Sequence, residues 1–160
     1  MAGKPEFPMV DVAAAVITRG KHVLVAFNSK WSSFTLPMTK RRTWQDPRVP
    51  RGRREEAWED AAARAAAECL GRTSKVAPEF IADLPEWQQG DRDGVWKRYH
   101  YQVFRIALSE ADEPQAGAIV EWLTPGDILD HERRPISPSA RHIVHHLQAE
   151  AALQGKSFPW

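Results

Sequence analysis

The sequence has a single cysteine, Cys69, so no disulfide bond can form within the chain and a reducing compartment is expected. It has no apolar run long enough to cross a membrane and no signal-peptide pattern at its start, so the cytoplasm is the expected location. The 22 lysines and arginines nearly balance the 21 acids, so net charge indicates no particular partner. A length of 160 residues fits one domain, residues 1–160, with its core at about residues 10–150.

Hydrophobic patterning predicts strands and helices in a mixed order. The predicted strands are residues 10–18 and 22–27, joined by a turn at 19–21, then 33–36, 76–84, 96–108 and 118–123. The predicted helices are residues 55–70 and a last helix that Ser137 caps and Pro138 opens, running to about Leu153. Residues 38–54 are predicted to be a loop and residues 88–94 a turn. This order predicts an α+β fold, a mixed sheet with helices on both faces.

The helix after the loop has the most informative sequence, EAWEDAAARAAAECLG, which ends at Gly71. Its first turns are acidic, as the helix dipole favours, and Gly71 is suited to a C-cap. Arg64 and Glu68 lie one turn apart. Together with the preceding strand and the Trp31–Pro37 segment WSSFTLP, this helix resembles the signature of the Nudix hydrolase family.

Residues 50–72 match that signature in part. On this resemblance, Glu56 takes the position of its first glutamate and Arg64 that of its arginine. Glu68 takes the first of its paired glutamates, and Gly71 its closing glycine.

Three positions depart from the signature. Ala65 and Cys69 stand where the family has glutamates, and Pro50 stands where it has its first glycine.

The resemblance implies a Nudix-like α/β/α sandwich and, for an active member, cleavage of a diphosphate linked to another group, with Mg²⁺ or Mn²⁺. It makes Glu56, Arg64 and Glu68 the candidate catalytic residues, and Glu56 and Glu68 the candidate metal ligands. Hard cations require several oxygen ligands on one helix face. Because alanine offers none and a thiol suits Mg²⁺ poorly, we expect any metal to bind weakly.

The segment from Lys40 to Arg54 carries seven basic residues and one acid. Glu56 follows Pro37 by 19 positions, a longer separation than the family has. Arginine forks suit phosphates and an indole can stack on a base, so Arg41, Arg42, Trp44 and Arg48 are candidate substrate-binding residues. The alternatives are a solvated, mobile loop or a site for RNA or DNA.

Other polar and aromatic groups have ordinary structural alternatives. Glu56, Asp60 and Arg64 have the spacing of helix ion pairs, and Glu68 is a candidate partner for Arg64. We expect Cys69 to be a packing residue. Two further sets are predicted to pack in the core or on the surface, rather than to stack on a base or bind a metal: the aromatics Trp87, Trp96, Tyr99 and Tyr101, and the histidines His142, His145 and His146.

Two functions of different kinds therefore stay open. One is a Nudix-type pyrophosphohydrolase that acts on a nucleoside diphosphate derivative, such as a nucleotide or an ADP-ribose-like molecule, with an atypical metal site. The other is a non-catalytic module of the same fold that binds such a ligand or a protein. Nucleic-acid binding through residues 40–54 is a minority alternative. The expected partner is a small molecule that contains phosphate.

Overall fold

The structure is a computed structural model that describes residues 9–49, 52–70, 77–90, 96–109, 114, 119–130 and 132–159. For residues 86–90 and 96 it describes the backbone. The predictions for Pro50, for Gly71 and for the side chains of Trp87 and Trp96 lie outside the described residues.

The described residues form nine strands and three helices. The strands are β1 (Met9–Arg19), β2 (His22–Asn28), β3 (Ser33–Thr35), β4 (Met38–Lys40), β5 (Thr43–Gln45), β6 (Arg53–Glu55), β7 (Glu79–Gly90), β8 (Trp96–Ala107) and β9 (Val120–Leu123). The helices are α1 (Trp58–Leu70), α2 (Pro125–Leu129) and α3 (Pro138–Leu153). No helix in the described part of the chain is long and apolar enough to cross a membrane.

β1 is the central strand of a seven-stranded mixed sheet. It pairs in parallel with β8 from Met9 opposite Arg98 to Thr18 opposite Ala107, which is all of β1 except its last residue. β7 pairs antiparallel with β8 on the far side. At its other edge β1 pairs with β2 and with β4, and β2 in turn pairs with β3 and β9. β5 and β6 form a separate two-stranded hairpin.

The core lies on both faces of this sheet because successive side chains of β1 point to opposite sides. Val12 and Val16 belong to the larger cluster, which includes the apolar side of α3. Ala13 and Ile17 belong to clusters that include the alanine-rich side of α1. The predicted α+β sandwich, with helices on both faces of a mixed sheet, is confirmed.

The prediction for the start of α1, which carries most of the signature residues and which we call the box helix, is wrong by about one turn. The helix begins at Trp58, Glu55 ends β6, and Glu56 lies in the connection between them. The backbone N–H of Glu56 donates to the carbonyl of Arg42 at 2.9 Å, so strand-like pairing continues through this residue. The predicted helical ladder of Glu56, Asp60 and Arg64 is therefore wrong, because Glu56 is not in the helix.

The prediction of a loop at residues 38–54 is also wrong. Met38–Lys40 pairs with β1, and the following residues fold into the hairpin of β5 and β6. The hairpin closes through hydrogen bonds from Asp46 N to Gly52 O at 2.6 Å and from Gly52 N to Val49 O at 2.8 Å. Gly52 has a φ of 65°, in the left-handed region where glycine is favoured. Short paired strands thus replace the expected mobile segment.

Two further boundaries differ from the predictions. β7 extends to Gly90, so the turn predicted from residue 88 begins later. The sequence around Thr124 was predicted to end a strand, but it also begins α2. The Thr124 hydroxyl accepts a hydrogen bond from Asp127 N at 3.2 Å, as an N-cap does. The predicted cap and start of α3 at Ser137 and Pro138 are confirmed.

Candidate functional site

Arg64 joins the box helix to the strands beside it. Its Nε and Nη2 donate to the two carboxylate oxygens of Glu56 at 3.2 and 2.9 Å. Its Nη1 donates to the Thr39 hydroxyl at 3.0 Å, and Nη2 also donates to the Lys40 carbonyl at 2.9 Å. Two of the three candidate catalytic residues are thus paired with each other, and they connect α1 to β4.

The Glu56 carboxylate is held as an anion. The Arg64 hydrogen bonds are the main cause that lowers the pKa of Glu56 below its ordinary value of 4.5, and the backbone N–H of Arg42 adds to them. The Glu56 side chain is 12% exposed. Both oxygens already accept hydrogen bonds from arginine, so this carboxylate acts as a structural partner of Arg64 in the described structure.

The helix face that holds the metal in the family has few oxygen ligands for a cation in this chain. Ala65 is fully buried, Cys69 is 5% exposed, and Glu68 is exposed. Burial raises the pKa of the Cys69 thiol to about 11, and the Glu68 charge adds to this. Across the described ranges, no three His, Cys, Asp or Glu side chains group together as metal ligands. These donors do not fit the oxygen-rich site that Mg²⁺ or Mn²⁺ requires. The assignment of Glu56 and Glu68 as weak ligands stays a prediction.

Arg41 is held by groups of the protein itself. Its Nη1 lies 3.1 Å from a Glu55 oxygen and 3.6 Å from an Asp11 oxygen, and its Nε donates to the Glu56 carbonyl. The guanidinium carbon lies 4.9 Å from the centre of the Trp58 ring. With an 18% exposed side chain, Arg41 fastens the hairpin to β1 and α1.

Arg48 also has a partner within the hairpin. Its Nε and Nη2 donate to the two oxygens of Asp46 at 3.1 and 3.2 Å, although its side chain is 81% exposed. The bond from Arg48 is the main cause that lowers the pKa of Asp46. This ion pair, together with Arg54 at 3.6 Å from Asp46, stabilises the tight turn between the strands.

The exposed cationic side of the hairpin is formed by other residues. Trp44 lies opposite Arg54 in the β5–β6 register, and the Arg54 guanidinium carbon is 5.8 Å from the centre of the Trp44 ring. Trp44 is 44% exposed, and Arg42 is exposed as well. Because directly opposed residues share a face of a hairpin, Trp44 and Arg54 form one surface. Of the four predicted substrate-binding residues, Arg42 and Trp44 have exposed side chains, whereas Arg41 and Arg48 form ion pairs within the protein.

A cavity of about 390 Å³ opens on the α3 side of the sheet. Its lining combines aromatic, aliphatic and polar side chains: Val12, Asn28, Lys30, Trp31, Met38, Thr39, Lys40, Tyr99, Tyr101 and Ser139. The rings of Tyr99 and Tyr101 stack with centroids 5.8 Å apart and planes inclined by 23°. Burial raises the pKa of the Tyr101 phenol, while a hydrogen bond from Ser139 acts in the opposite direction. Tyr101 is 2% exposed and packs in the core, as the sequence predicted, so Tyr99 is the member of the pair that a flat ring could contact.

A second cavity of about 350 Å³ adjoins the first, because Asn28, Lys30 and Met38 line both. Its far wall includes Glu68 and Cys69 of the box helix. We call the two cavities together the groove. Tyr99 and Tyr101 line the first cavity, Asn28 and Lys30 of the β2–β3 turn line both, and Glu68 and Cys69 line the second.

Lys30 was not predicted from the sequence to be a site residue, and Lys40 was predicted only as part of the basic segment. A usable signal was present for Lys30. Asn28 follows an apolar strand, and asparagine there often closes a tight turn by accepting backbone N–H groups. Such a turn places the next residues at the end of the strand, where ligand sites commonly occur.

A second polar cluster lies on the α1 side of the sheet. The Nε2 of His100 is 2.6 Å from an Asp83 oxygen, and its Nδ1 is 3.5 Å from an Asp11 oxygen. The His100 ring also meets Trp58 edge-on, with centroids 5.1 Å apart. These contacts connect β1, β7, β8 and α1. Of the α3 histidines, His146 has its Nε2 3.2 Å from a Glu150 oxygen, and burial lowers the pKa of His142.

Comparison with known proteins identifies the architecture. No protein-family model matches the sequence, and no curated protein matches it. Among solved structures, the MutT protein of Methanosarcina mazei Go1 is similar at 18% identity and a TM-score of 0.59, over 92% of this chain and 98% of that one. The NUDIX domain of Shewanella oneidensis NrtR, solved with ADP ribose, is similar at 15% identity and a TM-score of 0.58, over 92% of this chain and 90% of that one.

The chain has the Nudix fold. A further structure of this fold is a bifunctional NMN adenylyltransferase/ADP ribose pyrophosphatase from Francisella tularensis, complexed with AMP and a manganese ion. It is similar at 15% identity and a TM-score of 0.57, over 92% of this chain and 43% of that one. The resemblance drawn from the box helix is therefore confirmed for the fold.

Proposed function

We propose that this chain binds a nucleoside diphosphate derivative in the groove and does not hydrolyse it efficiently. The groove itself is the observation that carries the proposal. The first cavity has Tyr99 and Lys40, Lys30 lines both cavities, and the second has Glu68 and the buried thiol of Cys69. Aromatic walls and ammonium groups are suited to a base and its phosphates.

The helix face supports the proposed lack of efficient hydrolysis. Metal-assisted attack by water needs cations that neutralise the phosphate and activate the water, and cations need several carboxylates. Here Glu56 is paired with Arg64, and positions 65 and 69 have no carboxylate. The complexes of similar structures with ADP ribose and with AMP support the class of ligand proposed.

The test combines binding and turnover. Isothermal titration calorimetry with ADP and ADP-ribose is expected to give saturable binding to the wild type. Chromatography of the same mixtures after long incubation with Mg²⁺ or Mn²⁺ is expected to show unchanged ligand, while a Nudix hydrolase with all its box glutamates serves as the positive control. Turnover that Glu68→Gln abolishes would establish the hydrolase instead.

A second function is favoured by one observation, the exposed pair of Trp44 and Arg54 on the hairpin. An open indole beside guanidinium groups is suited to a single-stranded nucleic acid, whose bases stack and whose phosphates are anionic. Gel-shift titration with a short single-stranded RNA distinguishes the two functions. Tight RNA binding without nucleotide binding would favour the hairpin over the groove.

A further inference from the structure

Lys30 lies where the two cavities of the groove meet, and it lines both of them. We propose that this junction is a metal-independent diphosphate site, in which the Lys30 ammonium supplies the positive charge that a bound cation supplies in metal-dependent members of the fold. The inference rests on the proposed function, since it concerns how the groove would hold the phosphates of its ligand.

The β2–β3 turn fixes the position of Lys30. The side-chain oxygen of Asn28 accepts hydrogen bonds from the backbone N–H of Lys30 at 3.0 Å and of Trp31 at 3.3 Å. The carbonyl of Asn28 accepts a further bond from Trp31 N at 3.2 Å. Ser32, which completes the turn, has a positive φ of 49°. The turn is thus held at a defined place at the end of β2, while the lysine side chain keeps its freedom.

The charge of Lys30 is available to a ligand. Within the described ranges its ammonium makes no ion pair, and the same holds for Lys40 in the first cavity. Arg64, by contrast, has every nitrogen engaged with protein groups. The lysines are therefore the cations of the groove whose hydrogen bonds are not already made within the protein.

Electrostatics at the helix end supports the same assignment. Glu68 lines the second cavity, and its carboxylate would repel a phosphate there unless a positive charge lay between them. A metal ion would need more oxygen ligands than this face provides. An ammonium requires no such set of ligands, and it presents three rotatable donors to phosphate oxygens. A ligand with its ring against Tyr99 and its phosphates toward the helix would pass Lys30, which lines both cavities.

The experiment compares three lysine variants in two buffers. Calorimetry measures the binding of ADP, of inorganic pyrophosphate and of adenosine, once with EDTA and once with millimolar Mg²⁺. Lys30→Met removes the charge, Lys30→Arg keeps it, and Lys21→Met removes an exposed lysine from the turn at the opposite end of β2. Thermal melts of all variants check that each is folded.

We expect wild-type affinity for ADP to be the same in both buffers. We expect Lys30→Met to weaken ADP and pyrophosphate binding by roughly tenfold, the usual effect of losing one charge-assisted hydrogen bond, and to leave adenosine binding unchanged. Lys30→Arg and Lys21→Met should resemble the wild type.

Three other outcomes would overturn the inference. Equal ADP affinity in Lys30→Met and wild type removes the role of Lys30 and leaves the proposed function standing. Binding that EDTA abolishes and Glu68→Gln weakens establishes a metal site instead. A wild type that binds none of the three probes in either buffer overturns the proposed function as well.

Discussion

Arg64 has all three nitrogens bonded within the protein, to Glu56, Thr39 and the Lys40 carbonyl. We expect Arg64→Ala to lower the free energy of unfolding by about 2–3 kcal/mol, because it leaves a mostly buried Glu56 carboxylate without its partner. Urea denaturation monitored by circular dichroism measures this.

The matched control for that loss is Arg133→Ala. Arg133 has a 76% exposed side chain and lies 3.7 Å from Asp130, the geometry of a surface ion pair. Such pairs contribute about 0–1 kcal/mol, so this variant should unfold almost like the wild type. Equal stabilities of the two variants would show that the Arg64 bonds are not a structural anchor.

The pH dependence of stability follows from the lowered pKa of Glu56. A carboxyl with a lower pKa in the folded state contributes stability at pH above its unfolded-state value of 4.5, and it loses that contribution as pH falls through the folded value. We expect stability to decline below about pH 4.5, in the same direction as the contribution of Asp46.

Glu56→Gln is expected to be less stable at neutral pH and to show a shallower decline below pH 4.5, measured by urea midpoints across a pH series. Glu132→Gln, at an exposed turn position, is the control for removal of one negative charge. A decline as steep in Glu56→Gln as in the wild type would assign the acid sensitivity to other carboxyls.

Some site residues could be identified from the sequence and others could not. Glu56 and Arg64 were identified because a motif fixes their spacing. Their contact, however, joins the residue before α1 to the helix, and it is not the contact within one helix that was predicted. Lys30 was missed because the Asn28 signal predicts a turn but does not show which cavities the residues of that turn line. Its place between two cavities depends on how β2, β4 and α1 come together, which only the tertiary structure reveals.

In helix α1, a carboxylate at position 65 would lower the stability of the folded protein. Ala65 is fully buried, whereas Ala63 on the same helix is exposed. We expect Ala65→Glu to lower the free energy of unfolding by about 2–4 kcal/mol, because it overpacks the interface and buries a charge. Ala63→Glu should change it by less than about 0.5 kcal/mol, as surface substitutions do.

Chemical denaturation of the two variants measures the difference. If Ala65→Glu were as stable as Ala63→Glu, the helix face would be more open than the structure has it. Divalent metal binding by that variant would then be the next measurement.

At the scale of the β5–β6 hairpin, only some of the arginines should matter for an anionic ligand. We expect the Arg42→Ala, Arg54→Ala double variant to weaken the binding of ADP or single-stranded RNA, and the weakening to diminish at high salt, since screening acts on exposed charges. Arg48→Ala should have a smaller effect, because Arg48 donates two hydrogen bonds to Asp46, whereas Arg54 lies 3.6 Å from Asp46 and Arg42 is exposed.

Fluorescence titration at low and moderate salt measures both variants. Arg48→Ala removes a charge of the same kind from the same hairpin and so serves as the matched control. Equal ligand affinity in the double variant and the wild type would mean that the hairpin takes no part in binding.

The elements that the sequence predicted well are those with a long, regular pattern. β1, β8 and α3 have apolar periodicity over many residues, and α3 also has its Ser137–Pro138 start. β4, β5 and β6 were missed because three-residue strands carry almost no periodicity. β4 is stabilised by pairing with β1, and β5 and β6 by pairing with each other and by the ion pairs of Arg41 and Asp46. None of these contacts can be derived from local sequence.

For the whole molecule, a ligand that binds only the folded state raises its stability by mass action. We expect ADP at about one hundred times its dissociation constant to raise the free energy of unfolding by about 2.7 kcal/mol. Mg²⁺ alone is expected to raise it little, since the described residues offer no group of metal ligands. Differential scanning fluorimetry with ADP, Mg²⁺ and both together distinguishes these contributions, and a large shift with Mg²⁺ alone would contradict the expectation.

The labelling rate of the single cysteine can report on binding in the groove. Cys69 sits at the wall of the second cavity, is 5% exposed, and has a thiol whose pKa is raised to about 11. We therefore expect a disulfide reagent to react with Cys69 mainly when that wall opens briefly. The labelling rate then measures how often the wall opens. A ligand bound in the groove would lower the labelling rate of Cys69, so binding could be measured without introducing a probe.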